Sequence, residues 1–351
     1  MSRVLVLHAY SAANRGDGLL VDETIRLVRD ALGPGVEVTV CASWPETFAY
    51  LGVRVLSARP TLAGYDRQYV RALRAMGSYD LVVGVGGGYL RAGHLREALK
   101  AALVHGPQLY AASRSNTRTV YLPQSIGPLK MGTRRLARRL LSRIDVVYVR
   151  DDRSLSEVGP AIVTREPDLA LTCREVQPEV NGNLCACPVL SVRAVRGVLP
   201  EGVAALAGRL GEYTIYVQST TSGNDDRPVS AALDRGKNIT YEELTDPHSE
   251  RRVVIAVRLH AAIMSIMAGH YVVHLAYERK GFAAFADLGL GAYVHNLGRF
   301  SVEDVAKQVS RLIDSPDERR AYEEARDAGL AACSARRGQL LEALSAQSET
   351  S

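Results

Sequence analysis

Short apolar runs and stretches of helical periodicity alternate along nearly the whole chain. Residues 3–8, 36–41, 81–85, 119–122 and 145–149 are short apolar runs rich in Val and Leu. Their length and composition are those of strands buried on both faces. Between the first two, Leu20, Thr24, Leu27, Val28 and Ala31 recur at helical spacing over residues 19–32, with Asp17 as the expected N-cap. Further helices are expected over 95–111 and 133–142. The alternation pauses at residues 175–188, where Pro, Gly and Asn without periodicity read as a linker. It then restarts, with strands expected at 189–192, 214–218, 253–257 and 271–275. The matching helices are expected at 201–210, 229–235, 259–268 and 282–287. From Asp314 onward the Ala, Glu and Arg content reads as surface helices.

Strand–helix alternation of this kind builds a parallel sheet covered on both faces by helices. The expected fold is α/β: two Rossmann-like, doubly wound domains facing a cleft. The first spans residues 1–178 and the second 179–351, the latter ending in the helical tail. In such sheets ligands bind at the carboxyl ends of the strands. No repeat of solenoid length is present.

The length of 351 residues agrees with two domains. A hydrophobic content of 47% with 23% charged residues excludes a mostly disordered chain. The formal net charge is only +5, which argues against a dedicated nucleic-acid binder and suits an anionic small-molecule substrate. The five cysteines, Cys41, Cys173, Cys185, Cys187 and Cys333, form no C-x-x-C pair and read as reduced thiols. The histidines fall in no H-x-x-x-H or H-E-x-x-H pattern, so no metal is expected. No apolar run approaches the about 18–20 residues that cross a bilayer. A cytoplasmic protein is expected, acting on any envelope material from the inner face of the membrane.

Six places carry candidate chemistry at strand ends. Asn14-Arg15-Gly16-Asp17 lies between the first strand and first helix, where backbone N–H groups and a helix N-terminus meet ligands. An ordinary turn capped by Asp17 explains the same residues. Gly86, Gly87 and Gly88 follow a strand and present successive N–H groups to an anion, although they match neither G-x-G-x-x-G nor a P-loop. Gln124 and Ser125 sit in Pro123-Gln-Ser-Ile-Gly-Pro128, a loop stiffened by its prolines. Arg258-Leu259-His260 places a cation and an imidazole where a strand gives way to a helix, the arrangement most suited to acid/base work. Glu278 and Lys280, in Tyr277-Glu-Arg-Lys-Gly281, supply opposite charges at the next strand end. Arg193 closes the strand at 189–192. Apart from these, Arg134, Arg135, Arg138, Arg139 and Arg143 make a basic helix face without interleaved aromatics. It suits a solvated surface that docks an anionic, lipid-linked substrate better than it suits RNA.

Taken in order, these segments resemble the polysaccharide pyruvyl transferase family. The matching pieces begin with Asn14-x-Gly16-Asp17, Gly86-Gly87-Gly88, Leu122-Pro-Gln-Ser-Ile-Gly-Pro128 and Val149-Arg150-Asp151 with Ser154. They continue with Pro167-Asp168-Leu169-Ala170-Leu171, Ser191-Val192-Arg193, and Gln218 with Asp225-Asp226. Arg258-Leu259-His260-Ala261 and Tyr277-x-x-Lys280-Gly281 complete the set. The chain departs from the family pattern at Gly18, where Glu is usual, and at His270, where Pro is common.

The resemblance implies a fold like that of GT-B glycosyltransferases. It also implies transfer of a pyruvyl group from phosphoenolpyruvate to two hydroxyls of a glycan or glycoconjugate, forming a cyclic ketal, with no cofactor beyond that co-substrate. On this reading His260 and Arg258 are catalytic. Arg193, Arg258, Lys280, Glu278 and Gln218 bind the donor. Asn14, Asp17, Gly86, Gly87, Gly88, Gln124 and Ser125 line the acceptor side. The acceptor is a saccharide, lipid-linked or soluble; a peripheral membrane contact through residues 134–143 and a homo-oligomer stay open. The other readings are a GT-B glycosyltransferase, whose Arg258, Lys280 and Glu278 would hold the diphosphate and ribose of a nucleotide sugar, and a non-enzymatic module binding a phosphorylated metabolite.

Overall fold

The computed structural model describes residues 2–130, 132–172, 183–221, 223–233, 237–246 and 248–346. By its internal contacts the chain divides into two units. Unit 1 takes in Met1–Ala13, Asp17–Thr172 and Ala335–Ser351; unit 2 takes in Asn14–Gly16 and Cys173–Ser334. The boundary drawn from the sequence at 178/179, most of the expected linker, Cys173 and the end of the helix expected at 229–235 lie outside the described residues.

In unit 1 the strands are β1 (Arg3–Ala9), β2 (Glu37–Ala42), β3 (Arg54–Ser57), β4 (Leu81–Gly84), β5 (Gly87–Ala92), β6 (Thr119–Leu129), β7 (Val146–Val149) and β8 (Thr164–Arg165). They form one sheet in the order β3-β2-β1-β4-β6-β7-β8, with β5 also on β6, and every pairing is parallel. Residues Val4 to Leu7 of the central β1 are fully buried, as expected of a strand covered on both faces.

Unit 2 contains β9 (Val189–Ser191), β10 (Thr214–Tyr216), β11 (Thr220–Thr221), β12 (Asn224–Asp225), β13 (Lys237–Ile239), β14 (Val253–Ala256), β15 (Tyr271–Ala276) and β16 (Val294–Asn296). Its parallel sheet runs β13-β10-β9-β14-β15-β16, while β11 and β12 form a small antiparallel hairpin. Renumbered within the unit, this is the order 3-2-1-4-5-6 of a dinucleotide-fold sheet.

Several expectations are corrected. The first helix begins at Arg15 rather than Leu19, so Asp17 is inside its first turn and not its cap. The cap is Asn14, whose Oδ1 accepts the Gly16 N–H at 3.2 Å. The helix expected over 95–111 is two helices, Leu95–Val104 and Gly106–Ala112, with Pro107 in the first turn of the second. Gly86, Gly87 and Gly88 do not form a free loop. Gly87 and Gly88 open β5, and Gly87 pairs with Gln124 of β6. Likewise residues 123–128 continue β6 instead of ending it.

The tail helices are Pro316–Ala335 and Arg337–Ser345. The second counts with unit 1 because two arginines fasten it there. Arg336 donates to both oxygens of the buried Glu166 (2.8 and 2.6 Å), and Arg337 donates to Asp30 at 2.8 Å. No described helix is long and apolar enough to cross a membrane.

Candidate functional site

In a sheet of order 3-2-1-4-5-6 the chain leaves strands 1 and 4 in opposite directions, and ligands collect at that switch point. In unit 2 the switch point lies between β9 and β14, which pair with Ser191 opposite Ala256. Two residues beyond each partner stand Arg193 and Arg258. The register therefore delivers both guanidiniums to the same place. The Asn224 side chain joins them: its Oδ1 accepts from Arg193 Nη2 and from Arg258 Nη2, each at 3.1 Å.

Arg258 is further held by a fork to Asp226. Its Nε donates to Oδ2 at 2.5 Å and its Nη2 to Oδ1 at 2.6 Å, and it also reaches the Asn224 carbonyl at 3.0 Å. Arg258 is 7% exposed and Asp226 1%. Burial pushes the Asp226 carboxyl up, against the pull of Arg258, Arg193 and the Ser219 N–H. The fork uses two of the guanidinium's donor edges, a role for Arg258 that the sequence reading did not foresee. Arg193, half-buried, donates to the Tyr277 hydroxyl, and its guanidinium lies over the Tyr277 ring, 4.7 Å from the centroid. A planar cation held against an aromatic face and an amide oxygen is fixed in orientation before any anion arrives.

His260 occupies the first turn of the helix Leu259–Met267, directly after Arg258. Gly16 packs against its imidazole: a Cβ on Gly16 would overlap His260 Nδ1 and Cγ. The segment Asn14–Gly16 is anchored in unit 2 by a bridge from Asn14 to Ser219 and by the Arg15 N–H, which donates to the Gln218 carbonyl at 3.3 Å. The glycine of the Asn-x-Gly-Asp motif is thus required by close approach to the candidate acid/base. Lys280 pairs with Glu278 at 3.0 Å, after β15. Gln218 is buried after β10, with Nε2 near Met264 Sδ at 3.7 Å. Gln218 Oε1 and the Ser191 hydroxyl, both buried, have no protein hydrogen-bond partner. Ligands or ordered water complete such groups. The residues that the sequence missed are Asn224 and the roles of Asp226 and Tyr277.

Two buried histidines of unit 2, one before β15 and one within it, are neutral. His270 Nε2 donates to the Leu244 carbonyl at 2.7 Å, and its Nδ1 accepts the Arg252 N–H at 3.2 Å. His274 Nδ1 donates to the Ala256 carbonyl at 2.7 Å, while Gly281 leaves no room beyond the far edge of its ring. Burial lowers each to about 4. The unfolded chain takes up these protons near pH ~6.5. The stability is therefore complete above that pH and falls as pH drops toward the folded values, by roughly 3 kcal/mol per histidine. Urea unfolding across this window is expected to show that loss, and His270→Asn or His274→Asn is expected to flatten it. A pH-independent midpoint in the parent protein would refute the assignment.

In unit 1 the remaining candidates lie within β6, after β4 and in the first turn of the helix after β1, beside residues at the end of β7. Ser125 Oγ donates to Asp151 Oδ2 at 2.7 Å and accepts from Arg150 Nε at 3.0 Å. Arg150 also pairs with Asp168, both fully inside. Asp151 caps the helix Asp152–Val158 through the Ser154 N–H at 2.9 Å. Three sequence motifs, at residues 123–128, 149–154 and 167–171, therefore interlock through one charged network. Exposed Gly88 lies beside it: a Cβ there would meet Arg150 Nη2 at 3.6 Å. The Gln124 side chain is buried with neither polar atom partnered, and Asp17 is half-buried. His8, in a left-handed conformation near the end of β1, stacks on Tyr89 at 4.4 Å and meets the Tyr121 hydroxyl at 2.8 Å. Burial lowers its pKa well below the usual value.

Among the described residues no group of three His, Cys, Asp or Glu side chains is arranged to hold a metal ion. Of the basic face, Arg134, Arg135, Arg138 and Arg139 lie on the helix Thr133–Leu141, which ends before Arg143, and Arg134 donates to the carbonyls of Glu157 and Ser156.

A family model described as polysaccharide pyruvyl transferase matches residues 14–279. No curated protein sequence matches significantly. Among solved structures the chain is similar to S. aureus MnaA in its UDP co-structure, at 9% identity over 95% of this chain and 94% of that one, TM-score 0.56. It is also similar to a putative UDP-N-acetylglucosamine 2-epimerase from Listeria monocytogenes (9%, 97% and 95%, TM-score 0.55). A third likeness is to an O-GlcNAc transferase mutant of Thermobaculum terrenum (14%, 98% of this chain but 66% of that one, TM-score 0.51). At these identities the likeness shows the fold, which is α/β with two Rossmann-like parallel sheets and GT-B-like.

Proposed function

As the chain belongs to the polysaccharide pyruvyl transferase family, we propose that it moves a pyruvyl group from phosphoenolpyruvate onto two hydroxyls of a saccharide, closing a cyclic ketal. The observation that carries this reading is Arg193, aimed from the switch point of unit 2 by Asn224, which Arg258 fixes in turn. Phosphoenolpyruvate bears a phosphate and a carboxylate on one enol carbon, and oriented guanidiniums bind such groups through paired charge-assisted hydrogen bonds.

The first sugar hydroxyl adds to the enol carbon while the terminal CH2 takes up a proton. Phosphate then leaves with its bonding electron pair. The second hydroxyl closes on the same carbon and gives up its proton. The two hydroxyl protons end on the new methyl group and on phosphate. His260 supplies and accepts protons in these steps. Arg193 and Lys280 hold the carboxylate and stabilise the departing phosphate, and Arg258 fixes Asn224 so that Arg193 keeps its aim. Glu278 sets the position of Lys280, and Gln218 offers its unpartnered Oε1 to the donor side. We assign acceptor recognition to Asn14, Asp17, Gly86, Gly87, Gly88, Gln124 and Ser125. The protein needs no bound metal for this chemistry.

A ligand that binds only the folded state raises stability by about 2.7 kcal/mol at a hundredfold excess over Kd. Phosphoenolpyruvate is therefore expected to raise the thermal midpoint in a dose-dependent manner, and Arg193→Ala to abolish the shift. The likeness to a UDP co-structure favours one competing reading, glycosyl transfer from a nucleotide sugar. A shift with UDP-sugars and none with phosphoenolpyruvate would replace the proposal by that one.

A further inference from the structure

The helix Leu95–Val104 buries little of itself. Leu95, Leu99 and Leu103, spaced one turn apart, are 63%, 54% and 53% exposed and form a single apolar stripe along it. Arg96 and Lys100 flank the stripe. The helix's only carboxylate, Glu97, turns away to Arg91 and the Gly93 N–H. The next helix, Gly106–Ala112, touches both Leu95–Val104 and Thr133–Leu141 and joins the three into one layer. It adds exposed Tyr110, and Thr133–Leu141 adds exposed Leu136. The three helices together carry Arg96, Lys100, Arg134, Arg135, Arg138 and Arg139 against the single carboxylate of Glu97.

We propose that this layer docks the protein on an anionic lipid surface, with the leucine stripe entering the headgroup boundary and the arginines lying over the lipid phosphates. An apolar face rimmed by cations, on helices too short to span, is the form of an interfacial anchor. Charge selects this occupant over the others. A second copy of the chain meeting the same face would set cation against cation. An RNA strand would neutralise the arginines and leave the leucines in water. The inference does not depend on the donor reading, since it concerns where the chain resides and not what it transfers.

The test is co-sedimentation of the full chain with vesicles of phosphatidylcholine alone or mixed with phosphatidylglycerol. Binding is expected to the mixed vesicles only, weakening as salt screens the charges. The variant Leu95→Ser/Leu99→Ser/Leu103→Ser is expected to bind roughly tenfold more weakly or worse, since interfacial affinity scales with the apolar area buried. Arg135→Glu/Arg139→Glu is expected to lose the preference for anionic lipid. These side chains are exposed, so the thermal midpoints of both variants are expected to match the parent, which separates loss of docking from loss of fold. Absence of parent binding to either vesicle overturns the proposal, as does undiminished binding of the serine variant. A parent dimer that the serine variant abolishes, without any vesicle binding, would assign the face to a second copy instead.

Discussion

Asp226→Ala is expected to destabilise the protein by about 3–5 kcal/mol, the range for removing one partner of a buried ion pair. The Arg258 guanidinium would stay where it is, 7% exposed, with both oxygens of its fork gone and only Asn224 left to it. The cost comes from that stranded charge more than from the attraction lost. Burial already pushes the Asp226 carboxyl up, which means that dehydration of the pair competes closely with its Coulomb gain. The double variant Asp226→Leu/Arg258→Met is therefore expected to recover most of the stability that either single variant loses. Urea midpoints for the two singles and the double close the cycle. Losses that simply add would mean that the two side chains are not energetically coupled, which would refute the fork. The fork also explains why Arg258 is suited to positioning: a guanidinium spent on a carboxylate has little charge left to offer a substrate.

His260→Ala is expected to lower turnover about 10²–10⁴-fold, the usual contribution of a positioned acid/base. The thermal shift caused by phosphoenolpyruvate is expected to survive, because the cations proposed to hold the donor are Arg193 and Lys280. Phosphate release, measured with a panel of glycosides bearing neighbouring hydroxyls, reads the first effect, and the melting curve reads the second. Loss of both together would make His260 a binding residue. Unchanged turnover would place the proton transfer elsewhere, with Tyr277 and Glu278 the next groups at the same strand ends. Gly16 packs closely on this imidazole, so a Gly16→Ala variant is expected to displace the ring and lower turnover as well.

The frame of the fold was readable because the central strands are short runs of buried apolar residues: β1, β4, β9, β14 and β15 all fall where the apolar pattern puts them. The strands that lie outside the apolar pattern are two to six residues long and carry residues poor at forming strands. Gly87 and Gly88 open β5, Lys237 and Asn238 fill most of β13, and His295 and Asn296 end β16. Their places are set by pairing to a neighbour already formed, which local composition does not report. The same divide runs through the candidate site. Arg193, Arg258 and His260 follow strands, so a strand–helix reading finds them. Asn224 and Asp226 reach Arg258 across more than thirty residues by way of a two-residue hairpin, and no periodicity marks such a segment. His270, which stands where the family commonly has proline, reads as an oddity in sequence. In the structure it is a buried hydrogen-bonding wedge between Leu244 and Arg252.

The return of the C-terminal helix to unit 1 bears on how the polypeptide matures as it is made. A nascent chain that has emerged only through Thr172 contains every strand of the first sheet. It still lacks Arg336, so the interior carboxylate of Glu166 has no cation, and Asp30 waits for Arg337. The first sheet is thus the earliest to be synthesised and among the last to be closed. Unit 2 begins differently, since Asn14–Gly16 leaves the ribosome long before the strands it joins. Each unit depends on a piece of chain distant in sequence from the rest of it, so neither is completed by one contiguous stretch.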